Sequence, residues 1–367
     1  MIEDATSNAV SLMYKTARAV IKRGVYAKQE IYKKPRDLEE AVEIGDKLLK
    51  KIPKFLYSFG IPEGIGVQFH DLYFQSPLTI ASFKEDIDVV NLWLQTGFGG
   101  ACLKTVMHQN EGNKRPRLQE IKINNEYCLL NSMGLPSNDI EKFIGELKKS
   151  QIFSSKKPTG ISIGGSTLEE YMMNFLELDK YFSNANHRIY YEINASCPNT
   201  IYGLQLSENP RFIDGLLFLM RCVTKTVIGV KFSPDMDDDV LLEYAKMLKK
   251  HSKTYINLGN TSYRKCSDLG LPETAISTAG GGLSGGALYE RTFEMAKLIA
   301  PVGIPIIATG GINSAERVKS ILAMGMEHKV PILVGVATAV VEDICFAQRV
   351  NRELYRASKQ NTGVKKY

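Results

Sequence analysis

The six cysteines of this 367-residue chain (Cys102, Cys128, Cys197, Cys222, Cys266 and Cys345) lie far apart, and no two form a C-x-x-C pair. That spacing offers no disulfide framework and no zinc or iron–sulfur motif, so no metal is expected and a reducing, cytoplasmic setting fits best. Long apolar runs are missing as well. None approaches the ~20 residues that a bilayer-spanning helix needs. The opening MIEDATSNAV lacks the basic start and apolar core of a signal peptide, so a soluble protein without a transmembrane segment is expected, with peripheral membrane association left open. Charge of one sign is scarce: 46 Lys plus Arg against 40 Asp plus Glu leave +6, spread along the chain rather than gathered into the basic stripe of a nucleic-acid binder. No G-x-G-x-x-G follows the first strand, which counts against an open dinucleotide-binding sheet. Apolar residues are plentiful at 44%, enough for a large core. At ~150 residues per domain the length suits about two domains, or one α/β barrel with an extension.

From residue 75 onward, short β-branched runs alternate with helical patterns. The runs are QSPLTIAS (75–82), GGACLKT (99–105), PTGISIGG (158–165), RIYYEINAS (188–196), TVIGVKFS (226–233), TYINLGN (254–260), PIIATGG (305–311) and PILVGVAT (331–338). Helical stretches follow them, such as DDDVLLEYAKMLKK (237–250), whose leading acids and trailing lysines suit the helix dipole. Eight near-continuous apolar strands with intervening helices predict a closed (β/α)8 TIM barrel over 75–367. Residues 1–74 form a separate unit, a helical extension and hairpin. PRDLEEAVEIGDKLLKKIPKFL predicts an amphipathic helix with Leu38, Val42, Leu48, Leu49 and Ile52 near one side, and GVQFHDLYFQ alternates like a hairpin fit to plug the barrel floor.

Barrel active sites lie at the carboxyl ends of the strands. There the sequence places Ala81 and Ser82, Lys104 and Thr105, Asn194 and the Cys197 loop, Lys231, Asn260 and Thr261, Gly310 and Gly311, and Thr338. ATGGINSAERV sets two glycines before a helix that Asn313 or Ser314 would cap, and GGGLSGGALYERT is a second glycine-rich approach; bare amides at a helix start suit an anion. Lys104 and Lys231 would set cations at the barrel mouth, fit to stabilise a reduced, negatively charged ring. Asn131, Asn194, Asn199 and Asn260 bring both donors and acceptors to the rim, enough to read the edges of a small heterocycle. Each feature also has an ordinary role: glycines in turns, asparagines in caps, and a free cysteine in packing.

Taken together, LLNSMGLPSN (129–138), INASCPNT (193–200), GVKFSPD (229–235), TYINLGNTS (254–262), GGLSGGAL (281–288) and ATGGI (308–312) resemble the dihydroorotate dehydrogenases, with EGNKRPRL (111–118) adding to the match. The resemblance spans roughly 65–345 and implies an FMN-containing barrel that oxidises dihydroorotate to orotate in pyrimidine synthesis. It implies Cys197 as the base that takes a proton from C5 while hydride passes from C6 to flavin N5. It assigns Asn131, Gly134, Leu135, Asn194, Asn199, Asn260 and Thr261 to the pyrimidine and its carboxylate, with Lys104 between flavin and substrate. Ala81, Ser82, Thr105, Asn194 and Lys231 would line the flavin, and Gly285, Gly286, Gly310, Gly311 and Thr338 would lie near its phosphate.

Cysteine at the base position sides with the soluble class of the family, whereas a helical extension sides with the quinone-using class, as does Lys84, which sits near the place where the quinone-using class carries its own active-site lysine. Phe83, where soluble relatives often carry glycine, and the loop NTIYGLQLSENP, without the usual Pro-Gly, depart from the pattern. The acceptor therefore stays open among a fumarate-like acid, a quinone and a partner subunit that carries electrons onward; a homodimer is the expected assembly. Three other functions also stay open: a flavin enzyme for another dihydropyrimidine such as dihydrouracil, a non-redox phosphate-binding barrel, and a non-catalytic scaffold.

Overall fold

The computed structural model describes residues 2–107, 110–182, 188–195 and 209–363. A hairpin of β1 (Val67–Phe69) and β2 (Leu72–Phe74) leads into a closed parallel barrel. Its strands run in sequence order: β3 (Leu78–Ile80), β4 (Gly100–Val106), β7 (Thr159–Ile163), β8 (Ile189–Asn194), β9 (Val227–Phe232), β10 (Thr254–Leu258), β13 (Ile306–Thr309) and β14 (Ile332–Val336), which returns to β3. Seven lie inside the predicted runs, and β4 overruns its run, 99–105, by Val106 alone. β7, β8, β9, β10 and β14 are buried at every position, as strands covered on both faces must be. Gly259, just past β10, has φ +137°, and a Cβ there would lie 1.6 Å from the Thr309 carbonyl oxygen. Only glycine lets β10 and β13 converge so closely at the barrel mouth.

The hairpin closes the floor. Phe69 and Phe74 are buried, with ring centroids 5.4 Å from Tyr255 and 6.1 Å from Tyr190 respectively. The outer layer comprises α3 (Ile87–Gln95), α4 (Ile140–Lys149), α5 (Leu168–Phe182), α6 (Pro210–Val223), α7 (Asp238–Leu248), α8 (Tyr289–Ile299) and α9 (Ala315–His328). The short α10 (Thr338–Glu342) and the C-terminal α11 (Phe346–Gly363) follow. Asp86, Asp139 and Ser314 cap α3, α4 and α9 with side-chain oxygens, which settles the capping choice at 313–314 on the serine.

Two features were not individually predicted, the second lying within the expected N-terminal helical extension. One is a four-stranded antiparallel sheet, β5 (Leu118–Ile123), β6 (Glu126–Asn131), β12 (Gly280–Gly285) and β11 (Ser262–Lys265), in the order β11-β12-β6-β5. The other is α1 (Ile2–Ile31), which packs with α2 (Glu39–Leu49) on that sheet through Val25, Leu38 and Ala41 against Leu118 and Leu129. Helix α2 is shorter than the predicted amphipathic segment, which breaks before Pro53. Leu38 and Leu49 are buried, while Leu48 and Ile52 are 47% and 37% exposed because that side faces an open cavity. Polar clamps fix both helices. Arg18 and Lys22 reach Glu120 at 2.5 and 2.6 Å, Arg117 reaches Glu39 at 2.8 Å, and Ser11 and Lys15 reach Asp343 at 2.7 and 2.8 Å.

Candidate active site

A cavity of about 1100 Å³ opens at the carboxyl ends of the barrel strands, walled by the antiparallel sheet and roofed by α1 and α2. Ligand pockets typically measure ~300–1000 Å³, so this one stands at the large end of that range. The strand ends supply Ser82, Lys104, Thr105, Asn194, Lys231, Asn260, Thr261, Gly310, Gly311 and Thr338. The sheet and its loops add Asn131, Leu135, Gly285 and Gly286. Helices α1 and α2, with Leu38 just ahead of α2, contribute an apolar set that includes Val10, Ala17, Ile21, Leu38, Ala41, Val42 and Leu49, beside the charged Arg18, Lys22, Glu39, Glu43 and Asp46. Two predicted residues stand behind the wall. Ala81 is buried with its N–H donating to Val336 O at 2.9 Å, and the Gly134 carbonyl accepts from Asn110 Nδ2 at 2.8 Å, next to the lining Leu135. Cys197 and Asn199 lie outside the described residues.

The polar wall is pre-organised. Asn194 Nδ2 donates to Thr105 Oγ1 at 2.9 Å, and Thr105 Oγ1 lies 3.0 Å from Ser162 Oγ. With its amide so oriented, Asn194 Oδ1 is buried and, among the described residues, receives no donor. Such an oxygen costs free energy until a ligand N–H meets it. Lys231 Nζ donates to Ser82 Oγ at 3.3 Å. Lys104 Nζ sits 3.3 Å from the Glu85 carboxylate; burial lowers its pKa, partly offset by Glu85. Asn131 Nδ2 donates to Gly282 O at 3.0 Å, Asn260 Oδ1 accepts the Thr261 N–H at 2.9 Å, and Thr338 Oγ1 pairs with Ser284 Oγ at 3.0 Å.

The glycine pair after β13 forms a cradle. Gly311 has φ +67°, and a Cβ there would lie 2.3 Å from the backbone nitrogen of Tyr289, at the start of α8. Arg317, absent from the sequence candidates, donates to Gly311 O at 2.8 Å and Asn313 Oδ1 at 2.7 Å and pairs with Glu126 at 2.7 Å, fixing the loop's shape. Unblocked amides at a helix start favour an anion. The orphaned Asn194 oxygen, the Lys231 cation and this cradle therefore fit a planar heterocycle carrying a phosphate tail.

Three further side chains bear on the site; of these the sequence reading passed over only Glu192, which lies behind the lining. Lys84, flagged only by position, makes an ion pair with Asp46 of α2; burial raises the Asp46 pKa and Lys84 opposes it. Phe83 stacks on the single tryptophan, Trp93, at 5.5 Å. Glu192, the one charge in the strand IYYEIN, is fully buried and accepts from Ser82 Oγ at 2.9 Å. An isolated acid among apolar strand residues was the available signal.

A sequence profile described as dihydroorotate dehydrogenase matches residues 65–357. A dihydroorotate dehydrogenase (quinone) from Trichodesmium erythraeum is 31% identical over 264 residues, 67% of this chain and 68% of the relative. The catalytic subunit of dihydroorotate dehydrogenase B (NAD(+)) from Bacteroides thetaiotaomicron is 27% identical over 274 residues, 71% of this chain and 84% of the relative. The fold is shared with a ligand-free dihydroorotate dehydrogenase structure from Eimeria tenella, with a TM-score of 0.73 at 19% identity over 89% of this chain and 96% of that one. The sequence matches and the barrel agree: this chain belongs to the dihydroorotate dehydrogenase family.

Proposed function

We propose that this oxidoreductase converts dihydroorotate to orotate with FMN, in pyrimidine synthesis, and passes the electrons to a quinone. The observation that carries this reading is one cavity joining the polar wall at the strand ends to the apolar lining of α1 and α2. FMN, when bound, supplies the hydride acceptor at its N5 for the hydrogen leaving substrate C6. Cys197, three residues beyond Asn194 in the sequence, takes the C5 proton; a thiol of pKa ~8.5 stands close enough to neutrality for that work. Asn131, Asn194, Asn199, Asn260 and Thr261, with Gly134 and Leu135, frame the pyrimidine, and Lys104 offers its ammonium between ring and substrate. Lys231 supports the flavin ring, while Gly285, Gly286, Gly310, Gly311 and Thr338 take the phosphate.

The quinone follows from the roof. Ile44, Leu48, Ile52 and Phe55 are 37%, 47%, 37% and 78% exposed, next to the exposed Lys47, Lys50, Lys51 and Lys54. An apolar rim among lysines suits an acceptor that arrives from a lipid surface, although no helix among the described residues is long and apolar enough to cross a membrane.

The test is steady-state turnover of FMN-loaded protein with dihydroorotate against fumarate, a soluble quinone and NAD+ in parallel. Quinone should be the fastest acceptor, and Ala41→Trp, which fills the part of the cavity beside α2, should slow quinone reduction at least tenfold while leaving flavin bleaching by dihydroorotate near wild type. Bleaching by dihydrouracil and not by dihydroorotate would overturn the substrate; turnover with fumarate but not quinone would overturn the acceptor.

A further inference from the structure

One charged group has no place among the roles above. Glu192 sits on β8 with its side chain inside the barrel, fully buried. A carboxylate left there without donors would be strongly disfavoured. Donors do surround it. Ser82 Oγ donates to Oε1 at 2.9 Å, Asn257 Nδ2 to Oε2 at 2.7 Å and Tyr255 OH to Oε2 at 3.2 Å, with Cys102 Sγ 3.8 Å from Oε1. Thr309 Oγ1 donates to Asn257 Oδ1 at 2.9 Å, which forces the Asn257 amide to present its N–H to the acid.

Glycines on neighbouring strands make the room. A Cβ at Gly229 would fall 2.0 Å from the Tyr255 ring, and one at Gly335 would fall 2.0 Å from Thr309 Oγ1. The network reaches the cavity at Ser82, which touches Glu192 directly, and at Thr309, which acts through Asn257. Lys231 Nζ donates to Ser82 Oγ at 3.3 Å, so the Ser82 proton must point at Glu192. Lysine has three N–H donors; among the described residues one is held by Ser82, which leaves two to meet a ring bound in the cavity.

We infer that Glu192 is a positioning residue that holds Lys231 through Ser82 and, as a fixed negative charge beneath the cavity, sets the reduction potential of the flavin. The inference rests on the proposed FMN site. A buried anion opposes electrons entering a nearby ring, while Lys231 favours them, and the serine keeps the two charges apart.

The test is anaerobic titration of the full-length, FMN-loaded protein against a reference dye, with an artificial reductant. Glu192→Gln should move the flavin equilibrium at least tenfold toward the reduced form, equivalent to ~30 mV for a two-electron couple, and Glu192→Asp should restore most of it. Ser82→Ala should move it at least threefold the other way, because Lys231 loses its acceptor at the cavity and settles toward the acid. A yellow Glu192→Gln protein within twofold of wild type overturns the inference; if that variant loses its flavin, a yellow Ser82→Ala protein within twofold does so. Flavin that responds to these variants but is never bleached by dihydroorotate sinks the functional reading alone, and wild-type protein that takes up no FMN removes both.

Discussion

Asp343 ties the roof of the cavity to the barrel, and its replacement by asparagine tests whether charge holds α1 down. The carboxylate receives Ser11 Oγ at 2.7 Å and Lys15 Nζ at 2.8 Å from α1, and Arg349 Nη2 at 2.6 Å from α11. Burial by itself would raise its pKa, but Arg349, Lys15 and Ser11 outweigh that and bring it from 3.8 to about 2. At ~1.4 kcal/mol per pKa unit, the charged form contributes about 2 kcal/mol. Because the folded pKa is depressed, that contribution is complete above 3.8 and is lost as pH falls through about 2. About 2 kcal/mol corresponds to a ~30-fold larger population of detached α1 if it all resides in docking, and ~5-fold if Arg349 keeps more than half. Limited proteolysis within α1 at pH 7 reads that population, while fluorescence of Trp93, in α3, reports on the barrel. Asp343→Asn should speed α1 cleavage 5- to 30-fold. Cleavage within twofold of wild type would refute the electrostatic account, as would an equal stability loss at pH 7 and pH 2.

Cys197→Ala should abolish steady-state turnover while the protein stays yellow, and Cys197→Ser should turn over slowly with a rate that climbs with pH; near-normal turnover in the alanine variant would mean another proton acceptor. Gly311→Ala places a methyl against the Tyr289 amide at a positive φ, so FMN affinity should fall more than tenfold and stability by ~1–3 kcal/mol, as equilibrium dialysis and denaturant titration would show. Lys157, donating to Leu94 O at 2.7 Å, has its pKa lowered by burial from 10.5 to about 8. Between those values the unfolded chain binds more protons than the folded one, so stability should rise with pH across that window. Lys157→Met should therefore gain ~1–2 kcal/mol at pH 7, net of the lost hydrogen bond, and the gain should vanish by pH 10.5; a pH-independent difference would contradict the assignment.

The barrel was legible because each of its strands is a continuous apolar run, a pattern that a two-sided parallel sheet imposes directly on the chain. The antiparallel sheet left no such imprint. SYRK (262–265) is mostly exposed, and GGGLSG (280–285) reads as a phosphate loop although Gly281 and Gly282 are ladder positions, bare because a Cβ would meet the Asn131 carbonyl at 2.2 Å and Thr261 Oγ1 at 2.1 Å. Those constraints come from residues 150 and 21 positions away, beyond the reach of local pattern. The same limit hid Arg317, whose partners are loop carbonyls and Glu126. Strand-end residues such as Lys104, Asn194 and Lys231 were found because a barrel's topology fixes which end of each strand faces the site. The roles of Cys197 and Asn199 rest on their place in the sequence motif.

Helix α1 carries two parallel stripes. Ser11, Lys15, Arg18 and Lys22 recur at three- and four-residue steps and take the clamps, while Val10, Tyr14, Ala17 and Ile21 recur at the same steps and face the cavity. Most of the attachment falls to the first stripe and most of the apolar lining to the second, although Arg18 and Lys22 also border the cavity and Tyr14 OH donates to Val341 O at 2.9 Å. Drift in the second stripe can reshape the space offered to an electron acceptor, letting a lineage exchange one acceptor for another, without unseating the helix that the first stripe holds.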